Sequence, residues 1–367
     1  MKIKIHQKMK KSVYKPGIIL FTSLLLLSLT LTAQEVTKEY HKEYTPKQGA
    51  MLDLSNRYGD IIVQTSENNQ VVIDVKVTVR YSNQERAEKL LSYIEAEFGE
   101  SENLISAKTV IDDKFSFSGW SGESRKFSID YNVKMPSKMD LTLANRYGDT
   151  ELDDLSGYVD LNVKYGNLNA SKLSRGNEKP LSTISVAYGN CSVDEAGWLD
   201  LTARYSENFT INKGQALLLD SKYSNINIGS ASSVVGETGY KNLKIDNINN
   251  LVLDGGYTDV NVGTLTNKLV MEAGYGSLNI DRIPAGFELL EVDTHYTGIR
   301  LGIDETASYN LDAKLSYGGL NYNEANFRNK RRIIENNSTE ISGTVGKEES
   351  PTANVKILAT YASVKLY

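Results

Sequence analysis

Two histidines and one cysteine are the side chains that could support nucleophilic or zinc chemistry in the body of this 367-residue chain. A Ser-His-Asp or Cys-His arrangement needs a histidine as base, and beyond the amino-terminal segment only His41 and His295 are present. His295 directly precedes a tyrosine, in a position that Arg or Lys occupies elsewhere, which is typical of a solvated surface. The single Cys191 can form neither an internal disulfide nor a Cys-rich zinc site. We therefore expect no catalytic residue and no cofactor.

Acidic and amide side chains recur two residues after a tyrosine, and they could bind Ca²⁺ through their oxygens. Asp and Asn are also the residues that tight turns favour whatever the function, and this is the stronger explanation. The spacing does not match the Gly- and Asp-rich calcium nonapeptide. We assign no metal ligand and leave open whether this column binds calcium. Its members are Asp60, Asp149, Asn167, Asn190, Asn225, Asn242 and Asp259.

Basic side chains recur directly before the same tyrosines and predict an outward row. Such a row could bind an anionic glycan or a lipid headgroup. The neighbouring Asp60 and Asp149 could instead pair with it, and we favour that second interpretation. The row consists of Arg57, Arg146, Lys164, Arg204 and Lys222.

The tyrosines themselves mark an internal repeat. From Tyr147 to Tyr317 successive spacings are 17–23 residues, and apolar pairs lie six and four residues before most of these tyrosines and three and five after. Period-two alternation on both sides predicts two strands with one buried face, joined at a Tyr-Gly-Asp/Asn corner where Gly and Asn tolerate positive φ. The repeat tyrosines are Tyr58, Tyr147, Tyr165, Tyr188, Tyr205, Tyr223, Tyr240, Tyr257, Tyr275, Tyr296, Tyr317 and Tyr361.

A unit of this length is too short for a propeller blade and lacks a helical half, so it predicts an all-β, single-chain β-solenoid (β-helix). Leu155, Leu173, Ile248, Leu265 and Ile283 are expected to face inward from a short third side. Stacked coils would align the tyrosines in a structural ladder, and twelve or thirteen coils would make a rod about 55–60 Å long. A tyrosine row that binds sugars by stacking is the alternative.

The segment between the first two tyrosines differs from the repeat and predicts a small amino-terminal α+β cap. Residues 71–81 alternate as a strand, 83–98 carry the apolar stripe of a helix, and strands follow near 104–111 and 127–135. A cap is expected because a solenoid end must hide its open edge. The organisation is thus first coil and cap over 34–140, then repeats over 141–367. The polar residues 323–353 are interpreted as a surface loop.

Residues 1–33 resemble a signal peptide, with six lysines, an apolar run over 17–32 and a small residue at Ala33. An uncleaved anchor is the alternative, although the run is short for a membrane span. Without this segment 35 basic residues remain against 46 acidic ones, a net charge of −11, which argues against nucleic acid as the main partner. We expect an exported protein without a further span, located in the periplasm, at the outer membrane or on the cell surface.

The phrase Leu52-Asp-Leu54-Ser-Asn-Arg-Tyr58-Gly59-Asp60, the strand–helix–strand insertion and the reiterated Tyr-Gly-Asp/Asn corners resemble the putative adhesin family of bacterial envelope proteins. The resemblance covers about residues 45–367. It implies a β-solenoid domain of unknown function, and the family has no catalytic motif to carry over.

These observations predict an exported, non-enzymatic adhesin-like or scaffold protein. Its solenoid faces would bind a glycan, an envelope polymer or a protein. The alternative is a β-helix carbohydrate-active enzyme, a polysaccharide lyase or hydrolase that uses surface carboxylates. Three convergent carboxylates in a groove would favour the enzyme. The sequence leaves the ligand and the oligomeric state open.

Overall fold

The computed structural model describes residues 34–115 and 126–367, so the proposed leader at 1–33 and the part of the predicted cap at 116–125 lie outside the described residues. The chain is all-β with one described helix, and its strands belong to one hydrogen-bonded sheet. The amino-terminal elements are β1 (Gln34–Tyr44), β2 (Met51–Arg57), β3 (Ile61–Ser66), β4 (Val71–Tyr81), α1 (Gln84–Leu91), β5 (Ile94–Glu100), β6 (Leu104–Ile111) and β7 (Lys126–Pro136). The central strands are β8 (Asp140–Arg146), β9 (Thr150–Leu152), β10 (Val159–Lys164), β11 (Leu168–Leu173), β12 (Ser182–Ala187), β13 (Cys191–Arg204), β14 (Phe209–Lys222), β15 (Ile226–Gly239), β16 (Asn242–Ile283) and β17 (Leu289–Ile303). The carboxy-terminal strands are β18 (Tyr309–Ser316), β19 (Gly319–Asn321), β20 (Phe327–Glu335), β21 (Ser338–Val345), β22 (Asn354–Thr360) and β23 (Ser363–Leu366).

Equivalent strands of successive repeat units pair in parallel and in register. The strand before each tyrosine forms one series, in which β2, β8, β10, β12 and β13 follow one another. The strand after each tyrosine forms a second series through β3, β9, β11 and β13. From β13 to β17 both series continue within long strands.

The core lies between these series and is built from the alternating apolar residues. In β10, Val159, Leu161 and Val163 are buried while the residues between them are half-buried or exposed. The five residues expected to face inward from a third side are all buried, and Leu155 bridges Leu173 of the next unit in parallel. Each unit therefore covers the apolar residues of its neighbours.

Antiparallel strands cover the amino-terminal end of the stack. β7 pairs in parallel with β3 and antiparallel with β4, and β4 pairs antiparallel with β1. The inward residues of β4 contact α1, whose buried residues are Ala87 and Leu90. The helix is shorter than the sequence pattern predicts, because it ends at Leu91, the chain turns over residues 92–93 and Ile94 begins β5. Residues four apart, such as Ile94 and Phe98, fit a strand period as well as a helical one.

The carboxy-terminal end corrects one prediction and departs from the order of the chain. Residues 323–353 are not a loop, because they contain β20 and β21, which pair antiparallel with each other and place β21 against β18. The units also do not stack in chain order, since β22 lies between β17 and β18 and pairs in parallel with both. The hairpin covers the edge that β18 would otherwise expose.

Candidate functional site

Every repeat tyrosine adopts the left-handed backbone conformation, with φ between 52° and 69°. This differs from the expectation that Gly and Asn would supply the positive φ. The conformation costs a non-glycine residue about 1–2 kcal/mol, and hydrogen bonds between units offset that cost. The Tyr147 amide, for example, donates to the Lys164 carbonyl at 3.0 Å, and the Tyr165 amide donates to the Ala187 carbonyl at 3.0 Å.

The glycine after the tyrosine is required by space and not by φ. A Cβ on Gly148 would lie 1.8 Å from the Gly59 carbonyl oxygen, and one on Gly166 would lie 1.9 Å from the Gly148 oxygen. Four other units carry a buried hydroxyl side chain at this position, and one of these is Ser206. The remaining three form the same hydrogen bond. Each of these three hydroxyls donates to the carbonyl two residues earlier at 3.0–3.1 Å, at Ser224, Thr258 and Thr297.

The twelve tyrosine rings form a continuous stack, hereafter the tyrosine ladder. Ring centroids of neighbours are 4.7–5.3 Å apart and ring planes differ by 4–15°. Tyr361 stacks between Tyr296 and Tyr317, as the strand order requires. At the other end the Tyr58 ring contacts Phe127 at 5.1 Å, tilted by 57°.

Stacking covers the ring faces and leaves the ring edges and hydroxyls toward solvent. The eleven tyrosines from Tyr147 onward are 38–57% exposed. A sugar that binds by stacking needs an open ring face, and inside the ladder each face already contacts a neighbouring ring. The ladder therefore offers edges and hydroxyls to a ligand, and not flat aromatic platforms.

The Asp and Asn column forms hydrogen bonds from one unit to the next. The Asp149 amide donates to Asp60 Oδ1 at 2.8 Å, the Asn167 amide to Asp149 Oδ1 at 2.8 Å, and the Asn190 amide to Asn167 Oδ1 at 3.0 Å. Asn242 Nδ2 donates to Asn225 Oδ1 at 3.2 Å, and the Ser277 hydroxyl to Asp259 Oδ1 at 2.6 Å. Within the described residues no group of three or more His, Cys, Asp or Glu side chains could hold a metal ion.

The five predicted basic residues lie in one column, but Ala187 interrupts it between Lys164 and Arg204. The guanidinium groups of Arg57 and Arg146 lie 4.9 Å from the centroids of the following tyrosine rings. Arg204 forms an ion pair with Asp220. Three of the five basic groups therefore have intramolecular partners, and these are tyrosine rings and Asp220, not the Asp60 and Asp149 that the sequence suggested.

A second column, which the sequence analysis missed, is acidic. Five consecutive units place a carboxylate three residues before the tyrosine, and on its two sides lie an apolar column and a glycine column. The signal was present in the sequence as an acidic residue at one fixed offset in consecutive repeats. We call it the acidic column: Asp220, Glu237, Asp254, Glu272 and Asp293. The flanking columns are Leu218, Val235, Val252 and Val270 on one side and Gly239, Gly256 and Gly274 on the other.

A shallow cleft on the second strand series holds three more carboxylates. Its volume is about 260 Å³, and its lining includes Glu151, Asp153 and Asp194. Asp153 accepts a hydrogen bond from the Thr65 amide at 3.1 Å, and Asp194 accepts one from Asn212 Nδ2 at 2.8 Å.

The remaining reactive side chains lie apart from these surfaces. His295 is exposed beside the ladder, and Cys191 is buried in the core, where loss of solvation raises the pKa of its thiol. His41 lies on β1 in the amino-terminal cap. Hydrogen bonds to Asp74 at 2.6 Å and to Glu43 at 3.0 Å raise the pKa of its imidazole. No histidine contacts a serine or cysteine nucleophile among the described hydrogen bonds.

Solved structures of similar proteins cover nearly the whole chain. A putative adhesin from Parabacteroides distasonis is 10% identical with a TM-score of 0.30, and one from Bacteroides fragilis is 11% identical with a TM-score of 0.28; each alignment covers 90% of this chain and 97% of the other. A putative lipid binding protein from Parabacteroides distasonis is 8% identical with a TM-score of 0.25 at the same coverage. No family model and no curated protein sequence matches. Identities and TM-scores this low transfer neither a role nor a ligand to this chain.

Proposed function

We propose that this chain is an exported, non-enzymatic scaffold with an adhesin-like role, and that its stacked units close into a β-solenoid. The observation that carries the proposal is the uninterrupted series of in-register parallel units between two antiparallel ends. Such a stack presents long, flat, half-exposed faces, which suit an extended ligand better than a small one. The ligand would be a glycan, an envelope polymer or a protein.

The best candidate for the ligand site is the outer face of the first strand series, which carries the acidic column and the row of basic residues. Glu237, Asp254 and Glu272 are exposed and form no ion pair within the described part of the chain. Lys164 and Lys222 are exposed on the same face in units that precede Glu237, and Lys222 lies in the unit adjacent to it. An extended partner along this face would therefore meet exposed lysines followed directly by exposed carboxylates.

Protease shaving of intact cells tests the cellular role. Digestion of the protein without lysis would support a surface adhesin. Protection until the outer membrane is opened would instead place the scaffold in the periplasm, and the adhesin role would be abandoned. No helix in the described part of the chain has the length and hydropathy of a membrane span.

Charge-neutralising variants test the face. The mature chain would be sedimented with purified peptidoglycan sacculi and with lipopolysaccharide vesicles. A triple variant, Glu237→Gln with Asp254→Asn and Glu272→Gln, is compared with the double variant Lys164→Gln with Lys222→Gln. Loss of co-sedimentation in the triple variant alone would identify a positively charged partner. Loss in the double variant alone would identify a negatively charged one. Equal binding by wild type and both variants would show that this face is not the ligand site.

The three-carboxylate cleft supports a second candidate, a β-helix carbohydrate-active enzyme. Glycoside hydrolysis uses a pair of carboxylates about 5–10 Å apart, and Asp153 and Asp194 lie two units apart on one strand series. A structural role is the alternative explanation for these two carboxylates, because Asp153 accepts a hydrogen bond from Thr65 and Asp194 accepts one from Asn212. The assay measures the release of reducing ends from envelope polysaccharides. Release by wild type that is lost in Asp153→Asn and in Asp194→Asn would establish the enzyme. If wild type releases none, the enzymatic function is rejected.

A further inference from the structure

The outer face of the first strand series changes its charge along the stack. Units are numbered along the ladder, so that Tyr58 belongs to unit 1, Tyr223 to unit 6 and Tyr296 to unit 10. The row of basic residues lies in units 1 to 6, and the acidic column lies in units 6 to 10. Each half of the face therefore carries the charge that complements the other half.

Two glycines in the acidic half have no structural reason within their own chain. Gly256 and Gly274 directly precede ladder tyrosines, at the position where the basic half carries lysine and arginine. Neither has a positive φ, and a Cβ on either would meet no atom within 4 Å. Glycine weakens the interior of a strand and often marks a site that another molecule approaches closely. The two glycines leave space on the outer face beside Asp254 and Glu272.

We propose that a second copy of this chain packs on this face, with the two stacks antiparallel. The twofold axis lies in the interface, parallel to the strands, between units 5 and 6. It reverses the order of the units and keeps the strand direction, so units 1 to 10 of one protomer face units 10 to 1 of its partner. The inference rests on the proposed role of this face in binding an extended partner, and it names that partner.

This arrangement places the long basic side chains opposite the glycines. Lys164 in unit 3 comes opposite the partner's Gly256 in unit 8, and the partner's Asp254 lies two residues away along the same strand. Arg146 in unit 2 comes opposite the partner's Gly274 in the same way. Two residues along a strand span about 7 Å, which the flexible lysine and arginine side chains can cross to reach a carboxylate.

The carboxylates of the acidic column come opposite small or uncharged side chains, so they meet no like charge in their own column. The facing pairs are Asp220 with the partner's Thr202, Glu237 with the partner's Ser185, Asp254 with the partner's Asn162, Glu272 with the partner's Ala144 and Asp293 with the partner's Ser55. At the edge of the face, Asp140 comes opposite the partner's Lys268. The register that matches the glycines therefore also matches the charges.

Like charges face each other at two places in these columns. Lys222 comes opposite the partner's Arg204 beside the axis, where Asp220 pairs with the guanidinium group. Asp53 comes opposite the partner's Glu291 in the outermost units, where salt in the solvent screens the repulsion. Opposite charges predominate across the face.

The centre of the interface is apolar. Trp198 in unit 5 is half-buried on the outer face, and Leu218 and Val235 in the next two units are 40% and 39% exposed. Residues that dominate binding energy are often aromatic and lie near the centre of an interface. Ten units at ~4.8 Å and seven residues at ~3.3 Å give a face of about 1,100 Å². A stable interface of standard size buries about 800 Å² on each partner.

Analytical ultracentrifugation of the mature chain, without any added ligand, measures this association. We expect the mass of two chains, and a dissociation constant that rises with salt because charged pairs lie across the interface. A monomer at every concentration would overturn the inference. That result would leave the proposed function standing, because binding to sacculi and vesicles is measured separately.

A charge swap between facing positions tests the register. Lys164→Glu and Asp254→Lys each create two like-charged contacts in the dimer and should raise the dissociation constant about tenfold or more. Combined in one chain, the two changes restore opposite charges, and the dissociation constant should return to near the wild-type value. The control Lys164→Glu with Asp293→Lys has the same net charge but pairs unit 3 with unit 10, and it should stay weak. Lys164 and Asp254 are exposed, so the variants should keep the wild-type circular dichroism spectrum.

A further variant tests the space at the glycines without changing any charge. Gly256→Leu fills the gap opposite the partner's Lys164 and should also raise the dissociation constant. Its control is Gly319→Leu, because Gly319 is equally free of neighbouring atoms but lies on the second strand series. Wild-type dissociation constants for Gly256→Leu and for both single charge variants would show that the copies associate through another surface. Equal restoration by the two double variants would exclude the antiparallel register.

Discussion

At the scale of single residues, a ladder tyrosine and the glycine after it meet two different requirements of the backbone. Tyr147 takes the positive φ, at 63°, and Gly148 allows the close approach to the Gly59 carbonyl. Glycine at position 148 is thus required by contact with the preceding unit, and a single unit in isolation would not impose it. Gly256, in contrast, has no atom within 4 Å of where a Cβ would lie.

These two glycines predict opposite effects of the same substitution. Gly148→Ala should destabilise the protein by about 1–3 kcal/mol, because its methyl group overlaps the Gly59 oxygen. Gly256→Ala should stabilise it by about 0.4–1 kcal/mol, because it restricts only the unfolded chain. Urea denaturation of both variants measures the difference. Equal destabilisation by the two variants would contradict the close approach.

The stacking of the ladder predicts that removal of a single ring destabilises the protein. Tyr257→Ala removes ring contacts with Tyr240 at 5.3 Å and with Tyr275 at 4.8 Å. Aromatic pairs contribute about 0.5–1.5 kcal/mol each, so the loss should be about 1–3 kcal/mol. Tyr257→Phe keeps both contacts and should melt within a degree or so of wild type. If Tyr257→Ala has the melting temperature of wild type, the ladder does not stabilise the protein.

At the scale of elements, β1 is attached to the cap by side chains as well as by its pairing with β4. Lys38 contacts Glu95 at 2.6 Å, and His41 contacts Asp74 at 2.6 Å. These pairs are half-exposed or exposed, so solvent screens them and their contribution is small. Their effect should nevertheless depend on pH in a defined direction.

The raised pKa of His41 fixes that direction. Hydrogen bonds to Asp74 and then Glu43 favour the imidazolium, so its folded pKa lies above the ordinary value of about 6.5. The stabilisation is complete below the unfolded pKa and is lost as pH rises through the folded pKa. An NMR titration should give a His41 pKa above 6.5 that Asp74→Asn lowers. An Asp74→Asn variant with the wild-type value would contradict this pairing.

Among the strands that the structure describes, β20 pairs with β21 alone and is an open edge. Its exposed Lys330, Arg331 and Arg332 would discourage pairing with another chain. Replacing these three residues by threonine should therefore cause aggregation during refolding, measured by light scattering. The control, with Lys213, Lys244 and Lys268 replaced by threonine, changes the net charge equally in strands β14 and β16. If both triple variants stay soluble to the same extent, the edge charges have no protective role.

At the scale of the whole molecule, most contacts join neighbouring units, and the two ends are exceptions. The amino-terminal end is covered by β7, β4 and β1, and the carboxy-terminal end by β21 and β20. β22 must enter between β17 and β18, so the last unit in the chain is not the last in the stack. The strand β22 therefore joins β17 and β18, which follow one another in the sequence but are separated by β22 in the sheet.

Much of this arrangement could be predicted from the residues. A strand with one buried face requires an apolar residue at every second position, and a stack of units requires the whole pattern to recur every 17–23 residues. The all-β class, the tyrosine positions, strand β4 and the inward residues such as Leu155 all follow from periodicity. The acidic column was equally readable, since Glu237, Asp254 and Glu272 occupy one offset from their tyrosines.

Other features were decided only by contacts between segments that are distant in sequence. The insertion of β22, the pairing of the polar strands β20 and β21, and the capture of Arg57 and Arg146 by tyrosine rings leave no periodic signal. The positive φ of Tyr147 belongs with them, because an isolated Tyr-Gly-Asp phrase would place it on glycine. Local alternation therefore determined which residues are buried, whereas the order of the units and the backbone of each corner depended on the neighbouring unit.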